Sequence, residues 1–212
     1  MSEVYMYDEK VMFTYLRGRL DGPGFEQSQA ALVFARRVHA GALRKNGLPY
    51  IVHPLQMACD AIACKGVTDE IVATILLHDV YEETGSVTHK SLLPTLPVSE
   101  TVRRGVELMT LRPFEGETKP ELKRRYFNEL LDSKEAVVCK GFDRIANLND
   151  AEGALSEEAI VKNIWETHEL LMPILKEAKY VYPELSDMLH TIRTSLKRTL
   201  KLMARYHNVE LE

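Results

Sequence analysis

The feature that most constrains this chain is the stretch Leu76-Leu77-His78-Asp79-Val80-Tyr81-Glu82-Glu83-Thr84. It begins as the apolar end of a helix and finishes as one imidazole followed by three carboxylates. Setting acids beside a histidine at the end of a buried run is electrostatically costly unless a cation sits among them. Adjacent His78 and Asp79 can face one ion only if the helix supplies a corner there. Glu82, four residues after His78, returns to the same face if the helix continues. The stretch therefore reads as part of a metal site, with further ligands to come from elsewhere in the chain.

The rest of the sequence reads as helices. Apolar residues recur at three- and four-residue spacing over 6–20, Phe25–Ala42, His53 to about Gly66, and Ile71 to about Glu82. The pattern resumes over Ser99–Thr110, Glu121–Leu131, Lys134–Asn149, 156–178 and 183–207, with a short helix at Thr88–Leu93. Residues 111–120 read as a loop, and Asn46-Gly47 and Pro49 mark a turn ahead of His53. No β-rich alternation, repeat or low-complexity tract interrupts this pattern, so the expected fold is all-α. At 212 residues the chain suits one domain, 1–212, with a motif-bearing core at about 25–150 and C-terminal helices at about 156–207.

Composition excludes more than it identifies. A net charge of −4 gives no general drive toward nucleic acid or an anionic membrane. No apolar run approaches the roughly 18 residues of a membrane span. The N-terminus MSEVYMYDEK has no export signal, so the expected location is cytoplasmic. Cys59, Cys64 and Cys139 form no CxxC pair and read as reduced thiols in apolar helices. Trp165 falls in a helical pattern and reads as core. Arg193, Lys197, Arg198, Lys201 and Arg205 read as a solvated face of the last helix.

Ligand-type side chains lie at three separated places: His53, the pair His78-Asp79, and Asp143. Two imidazoles and two carboxylates form a mixed set suited to Mn²⁺, Fe²⁺ or Zn²⁺. Taken singly, His53 reads as a loop histidine capping backbone groups and Asp143 as a surface carboxylate paired with Arg144.

The surrounding residues carry a family resemblance. Arg44-Lys45-Asn46-Gly47-Leu48-Pro49-Tyr50-Ile51-Val52-His53-Pro54-Leu55 resembles the first motif of the HD-type hydrolase domain of RelA/SpoT proteins. His78 through Thr84 resembles the second motif, and Lys140-Gly141-Phe142-Asp143-Arg144-Ile145-Ala146-Asn147-Leu148 the third, in the family's order and near its spacing. The resemblance implies an HD-domain helical bundle. It implies that His53, His78, Asp79 and Asp143 hold Mn²⁺, with Fe²⁺ or Zn²⁺ as other candidates. It further implies that the 3′-pyrophosphate of ppGpp or pppGpp is removed to give GDP or GTP and pyrophosphate.

The remaining roles follow from the same likeness. Glu82 and Glu83 would orient water and accept its proton, Arg44 and Lys45 would flank the guanine base, and Asn147 would contact the sugar. Arg124 and Arg125 are candidate partners for the pyrophosphate charge. At this length the chain resembles the stand-alone small alarmone hydrolases, whose partner is a small nucleotide rather than nucleic acid or membrane. Two positions depart from the family pattern: Glu83 stands where an aspartate is usual, and Gly141-Phe142 replaces a small apolar pair. The departures leave open another nucleotide as substrate, or a nucleotide-binding protein with weakened catalysis.

Overall fold

A computed structural model of the chain describes residues 8–81 and 95–211. Among them the regular structure is helical: α1 (Glu9–Asp21), α2 (Glu26–Val38), α3 (Val52–Ile62), α4 (Asp69–Leu77), α5 (Glu100–Met109), α6 (Lys119–Glu129), α7 (Lys134–Asn149), α8 (Glu157–Glu166), α9 (Met172–Val181) and α10 (Ser186–Tyr206). The only extended pairing among the described residues is a single bridge, Leu43 with Pro49. The all-α expectation is borne out. The expected helix at Thr88–Leu93 lies outside the described residues.

Helix α4 is the axis of the bundle. Every residue from Ile71 to Leu77 is buried, the mark of a helix with no solvent face. It packs against α2, α3, α5 and α7. Its first turn also completes a neighbour: α2 begins without a side-chain cap of its own. The Asp69 carboxylate accepts the Gln27 and Ser28 amides at 3.0 and 2.8 Å. Those are orphan donors of α2, and the negative charge meets the positive end of its dipole.

Several boundaries differ from the sequence expectation for local reasons. Helix α2 stops at Val38 rather than Ala42, because Gly41 turns the chain with a φ of 80°. Helix α6 starts at Lys119, two residues earlier than expected. Thr118 and Glu121 form a reciprocal capping box there, and Pro120 is tolerated in the first turn. Helix α4 ends at Leu77 and not at Glu82; Val80 N–H reaches back three residues to the Leu77 carbonyl at 3.1 Å, a tight turn in place of a further helical one. Glu82 itself lies outside the described residues.

The expected continuous helix over 156–178 is divided. A π turn at Thr167–Leu171 separates α8 from α9, with the Thr167 hydroxyl donating to the Asn163 carbonyl at 2.6 Å. The buried stripe there is Ile160, Ile164, Thr167 and Leu171. Trp165 lies about 100° around the helix from Ile164 and is 41% exposed, so it is not the core residue its position suggested. Cys139 is buried, Cys59 and Cys64 are half-buried, and all three are free thiols.

The unusual Gly141-Phe142 pair has a packing cause. A Cβ on Gly141 would stand 2.6 Å from Cγ2 of Ile192, so its absence lets α10 close on α7. Phe142 fills the adjoining core. Gly141 thus sets the α7–α10 contact. Gly141→Ala is therefore expected to destabilise the fold by about 1–3 kcal/mol through overpacking of a β-branched neighbour. That sign holds despite the ~1 kcal/mol by which alanine is the better helix former. Urea unfolding of the variant measures it.

Candidate functional site

Three buried helices deliver the candidate ligands to one place. His53 stands at the first turn of α3, where Pro54 is compatible with helix initiation. His78 closes α4 and Asp143 lies within α7. The early end of α4 supplies the corner that His78 and Asp79 require. His78 itself keeps helical dihedrals and the chain tightens into a three-residue turn after Leu77; there Asp79 Oδ2 stands 3.0 Å from His78 Nε2 and 3.9 Å from His53 Nε2. On a continuing helix those neighbours would diverge by about 100°. From the other side, Asp143 Oδ1 approaches His53 Nε2 to 3.2 Å and His78 Nε2 to 3.9 Å.

Electrostatics shows what this cluster lacks. His78 Nδ1 donates to the Ile75 carbonyl at 2.8 Å. In the neutral ring, Nε2 is then a bare lone pair, buried and without a hydrogen-bond partner, facing two carboxylates. Burial alone would lower the His78 imidazole; the Asp79 and Asp143 carboxylates outweigh it and raise its pKa to about 9. For His53 burial prevails and its pKa is lowered. Burial would raise Asp79 and Asp143. The imidazoles hold Asp79 well below the usual carboxylate range. Lys140 and the imidazoles do the same for Asp143. Two ionised carboxylates that hold a buried imidazole in its cationic form make a site that favours positive charge, which a divalent ion would supply to both carboxylates at once.

The residues fit a divalent metal ion. One ligand atom from each of His53, His78 and Asp143 lies within 4.8 Å of the others, and Asp79 Oδ2 completes a mixed nitrogen–oxygen set. His78 has the outer contact typical of a ligating histidine, its second nitrogen held by a carbonyl. His53 Nδ1 has no such partner. Asp143 does not pair with Arg144, as an isolated helix carboxylate would. Its Oδ2 accepts from Lys140 at 2.8 Å and its Oδ1 from Asn147 at 2.6 Å. Arg144 turns instead to Asn163 and Glu166.

A cleft of about 660 Å³ opens from this cluster, within the range of a nucleotide-sized site. Its near wall is the loop 43–50, folded back by an Arg44 N–H bond to the Leu48 carbonyl at 2.8 Å and by Gly47 at a φ of 83°. Arg44 reaches across 103 residues to Asn147 at 3.0 Å. It also pairs with Asp150 at 3.3 Å. Asn147 thus bridges Arg44 to Asp143. Lys45 lines the mouth of the cleft.

On the far wall stand Lys123 and Arg144, both paired with Glu166 at 3.3 and 3.7 Å, together with Lys162. Neither Arg124 nor Arg125 lines the cleft. Arg125 is engaged by Glu117 and Glu129 at 2.8 and 2.9 Å. Glu82 and Glu83 lie outside the described residues.

Sequence reasoning overlooked several residues here. Tyr50 donates its hydroxyl to Asp79 Oδ2 at 2.7 Å and stacks on the buried His39 ring at 4.9 Å. Lys140 is a buried cation on Asp143; burial opposes its charge, but the adjacent carboxylate raises its pKa. Tyr50 lay inside the first motif and Lys140 at the head of the third. The usable signal was a phenol and an amine each three residues ahead of a ligand, Tyr50 before His53 and Lys140 before Asp143. Tyr50→Phe removes the hydrogen bond that orients Asp79, and divalent-ion affinity is expected to fall about 10- to 100-fold with the fold retained. Calorimetric titration with Mn²⁺ checks this.

No protein-family model matches the chain, but curated proteins do. The chain is 28% identical over 198 residues to the guanosine-3′,5′-bis(diphosphate) 3′-pyrophosphohydrolase of Aquifex aeolicus, covering 85% of this chain and 27% of that protein. It is 30% identical over 146 residues to the bifunctional (p)ppGpp synthase/hydrolase RelA of Mycobacterium tuberculosis, covering 69% of this chain and 20% of the relative. The corresponding match to the bifunctional (p)ppGpp synthase/hydrolase SpoT of Escherichia coli is 31% over 150 residues, 69% of this chain and 21% of the relative. The chain thus spans about a fifth to about a quarter of the length of these relatives. With these matches added to the convergence of the three motifs on one cleft, the chain belongs to the RelA/SpoT family.

Proposed function

We propose that this protein is a metal-dependent (p)ppGpp 3′-pyrophosphohydrolase. Water and ppGpp are converted to GDP and pyrophosphate, or water and pppGpp to GTP and pyrophosphate. One observation carries the reading: four side chains far apart in sequence converge beside a nucleotide-sized cleft, in a chain similar to a protein named as a 3′-pyrophosphohydrolase of this nucleotide. His53, His78, Asp79 and Asp143 are the proposed ligands, and Mn²⁺ the proposed ion. When bound, a divalent ion lowers the pKa of water toward neutrality and polarises a phosphoryl oxygen.

The chain's own residues supply binding and orientation. Arg44 is held by Asn147 and Asp150 with its guanidinium 5.8 Å from the centre of the Tyr50 ring. There it offers a flat cationic face to a purine, with Lys45 beside it. Asn147, fixed between Arg44 and Asp143, is placed to meet the sugar linking base and phosphate. Lys123, Lys140 and Arg144 give the cleft positive charge for the departing pyrophosphate. Glu82 and Glu83 are the proposed acceptors of the proton released from water. The proposed location is the cytoplasm; among the described residues no helix is long and apolar enough to cross a membrane.

A second reading has one specific support, Glu83 in place of the family's aspartate. The extra methylene moves the carboxylate by about 1.5 Å, a displacement that can cost about a hundredfold in rate. Under that reading the protein hydrolyses a different nucleotide, or binds one with little turnover.

Purified protein with Mn²⁺ and ppGpp is expected to release pyrophosphate and GDP in equal amounts. His78→Ala is expected to lower the rate by about a thousandfold or more, since the metal's contribution amounts to several kcal/mol. Retention of full turnover in that variant rules out the metal site. Arg44→Ala is expected to raise KM about tenfold with a smaller effect on kcat, the scale of one desolvated cation–ring contact. Inert ppGpp alongside turnover of another nucleotide selects the second reading, as does a large rate gain in Glu83→Asp.

A further inference from the structure

A second concavity, of about 640 Å³, lies between α9 and α10 and shares no lining residue with the metal cleft. Its cationic wall is Arg193, Lys197, Lys201 and Arg205, one turn apart along α10, with Lys176 of α9 opposite. The four span twelve residues, about 18 Å of helix. Among the described residues no carboxylate lines the groove, although the chain as a whole is acidic. Its floor is apolar, made by Met172, Leu200, Ala204 and the returning tail at Val209 and Leu211. Val209 N–H bonds the Ala204 carbonyl at 2.8 Å and fixes that tail.

Two observations separate this wall from an ordinary solvated helix face. Like charges at i, i+4 destabilise a helix by about 0.2–0.5 kcal/mol per pair, and here three such pairs run in series. None of the five cations has an ion pair among the described residues, whereas even the exposed Lys65 and Arg36 have partners in Asp187 and Glu9. Arg193 also buries its Nε without a hydrogen-bond partner, a donor that needs an acceptor. The volume matches a single small molecule rather than an extended polymer. The cationic row suits several phosphates, and the floor suits a flat ring.

We propose that the groove between α9 and α10 is a second anion-binding site that takes a small organic polyphosphate of nucleotide size. Calorimetric titration of the full chain without divalent ions, using GTP and inorganic tripolyphosphate as probes, tests it. The control is Lys197→Glu/Lys201→Glu, whose lysines are exposed and whose melting temperature should be no lower than the wild type's, since two of the three like-charge pairs become opposite-charge pairs.

GTP is expected to show one binding event more in the wild type than in the double variant. Arg205→Gln should weaken that event about tenfold, the scale of one charge-assisted hydrogen bond. Tripolyphosphate, which lacks the ring, is expected to bind the groove more weakly than GTP. If the metal cleft takes no GTP, the wild type shows one event and the variant none, so failure of the catalytic reading is told apart from failure of this one. The proposal is overturned by equal numbers of events in both proteins, or by tripolyphosphate binding as tightly as GTP. It is also overturned if single-stranded RNA or phosphatidylglycerol vesicles, and not GTP, are captured through these lysines.

Discussion

Two ionised carboxylates facing two buried imidazoles are the constraint around which this molecule is built. His78 donates one ring N–H to the Ile75 carbonyl and turns its other nitrogen toward Asp79 and Asp143, which raise the pKa of the ring. Such an arrangement, buried at the meeting of α3, α4 and α7, is tolerable only where positive charge is supplied. Lys140 supplies some of it on the outer oxygen of Asp143. The inner oxygens, which accept from Tyr50 and Asn147, face the place that a divalent ion would fill between the helices.

The packing serves that cluster. A helix apolar on every side is a fixed post, and α4 has neighbours on all its faces. It therefore delivers His78 to one position, and the tight turn after Leu77 swings Asp79 round to join it. Gly141 admits α10 against α7 and so seats the helix that carries Asp143. The 43–50 loop is tied to the His–Asp cluster by one chain of contacts: Asp150 and Asn147 to Arg44, and Asn147 to Asp143. A shift of the 43–50 loop would be felt at a ligand, which gives a physical route by which substrate position and metal geometry adjust together.

The cationic groove between α9 and α10 stands apart from this arrangement in residues and in character. The metal cleft mixes acids with bases and balances them locally, as Lys123 and Arg144 do on Glu166. The groove concentrates one sign over an apolar floor. The π turn at Thr167–Leu171 lies between the two, with Glu166 on the cleft and His168 on the groove.

The helical class, most element boundaries and the four clustered side chains were all legible in the sequence, because apolar periodicity and short motifs are local properties of the chain. The end of α4 was not, since Leu76-Leu77-His78 is as compatible with another helical turn as with a corner. Nor was the exposure of Trp165, which depends on which side of a continuous apolar stripe faces α10. Tyr50 and Lys140 stood within the motifs, but their partners, like those of Asp150, were not fixed by the sequence, because a phenol, an amine or a carboxylate gains its role only from what stands within about 3 or 4 Å of it. Charge on residues 193–205 was plain in one dimension, but whether it met water or a concave wall was decided by where α9 and the tail came to rest. Sequence determined which groups exist and which helices carry them. Tertiary structure decided which of those groups share a dielectric, and so which pairs must be neutralised.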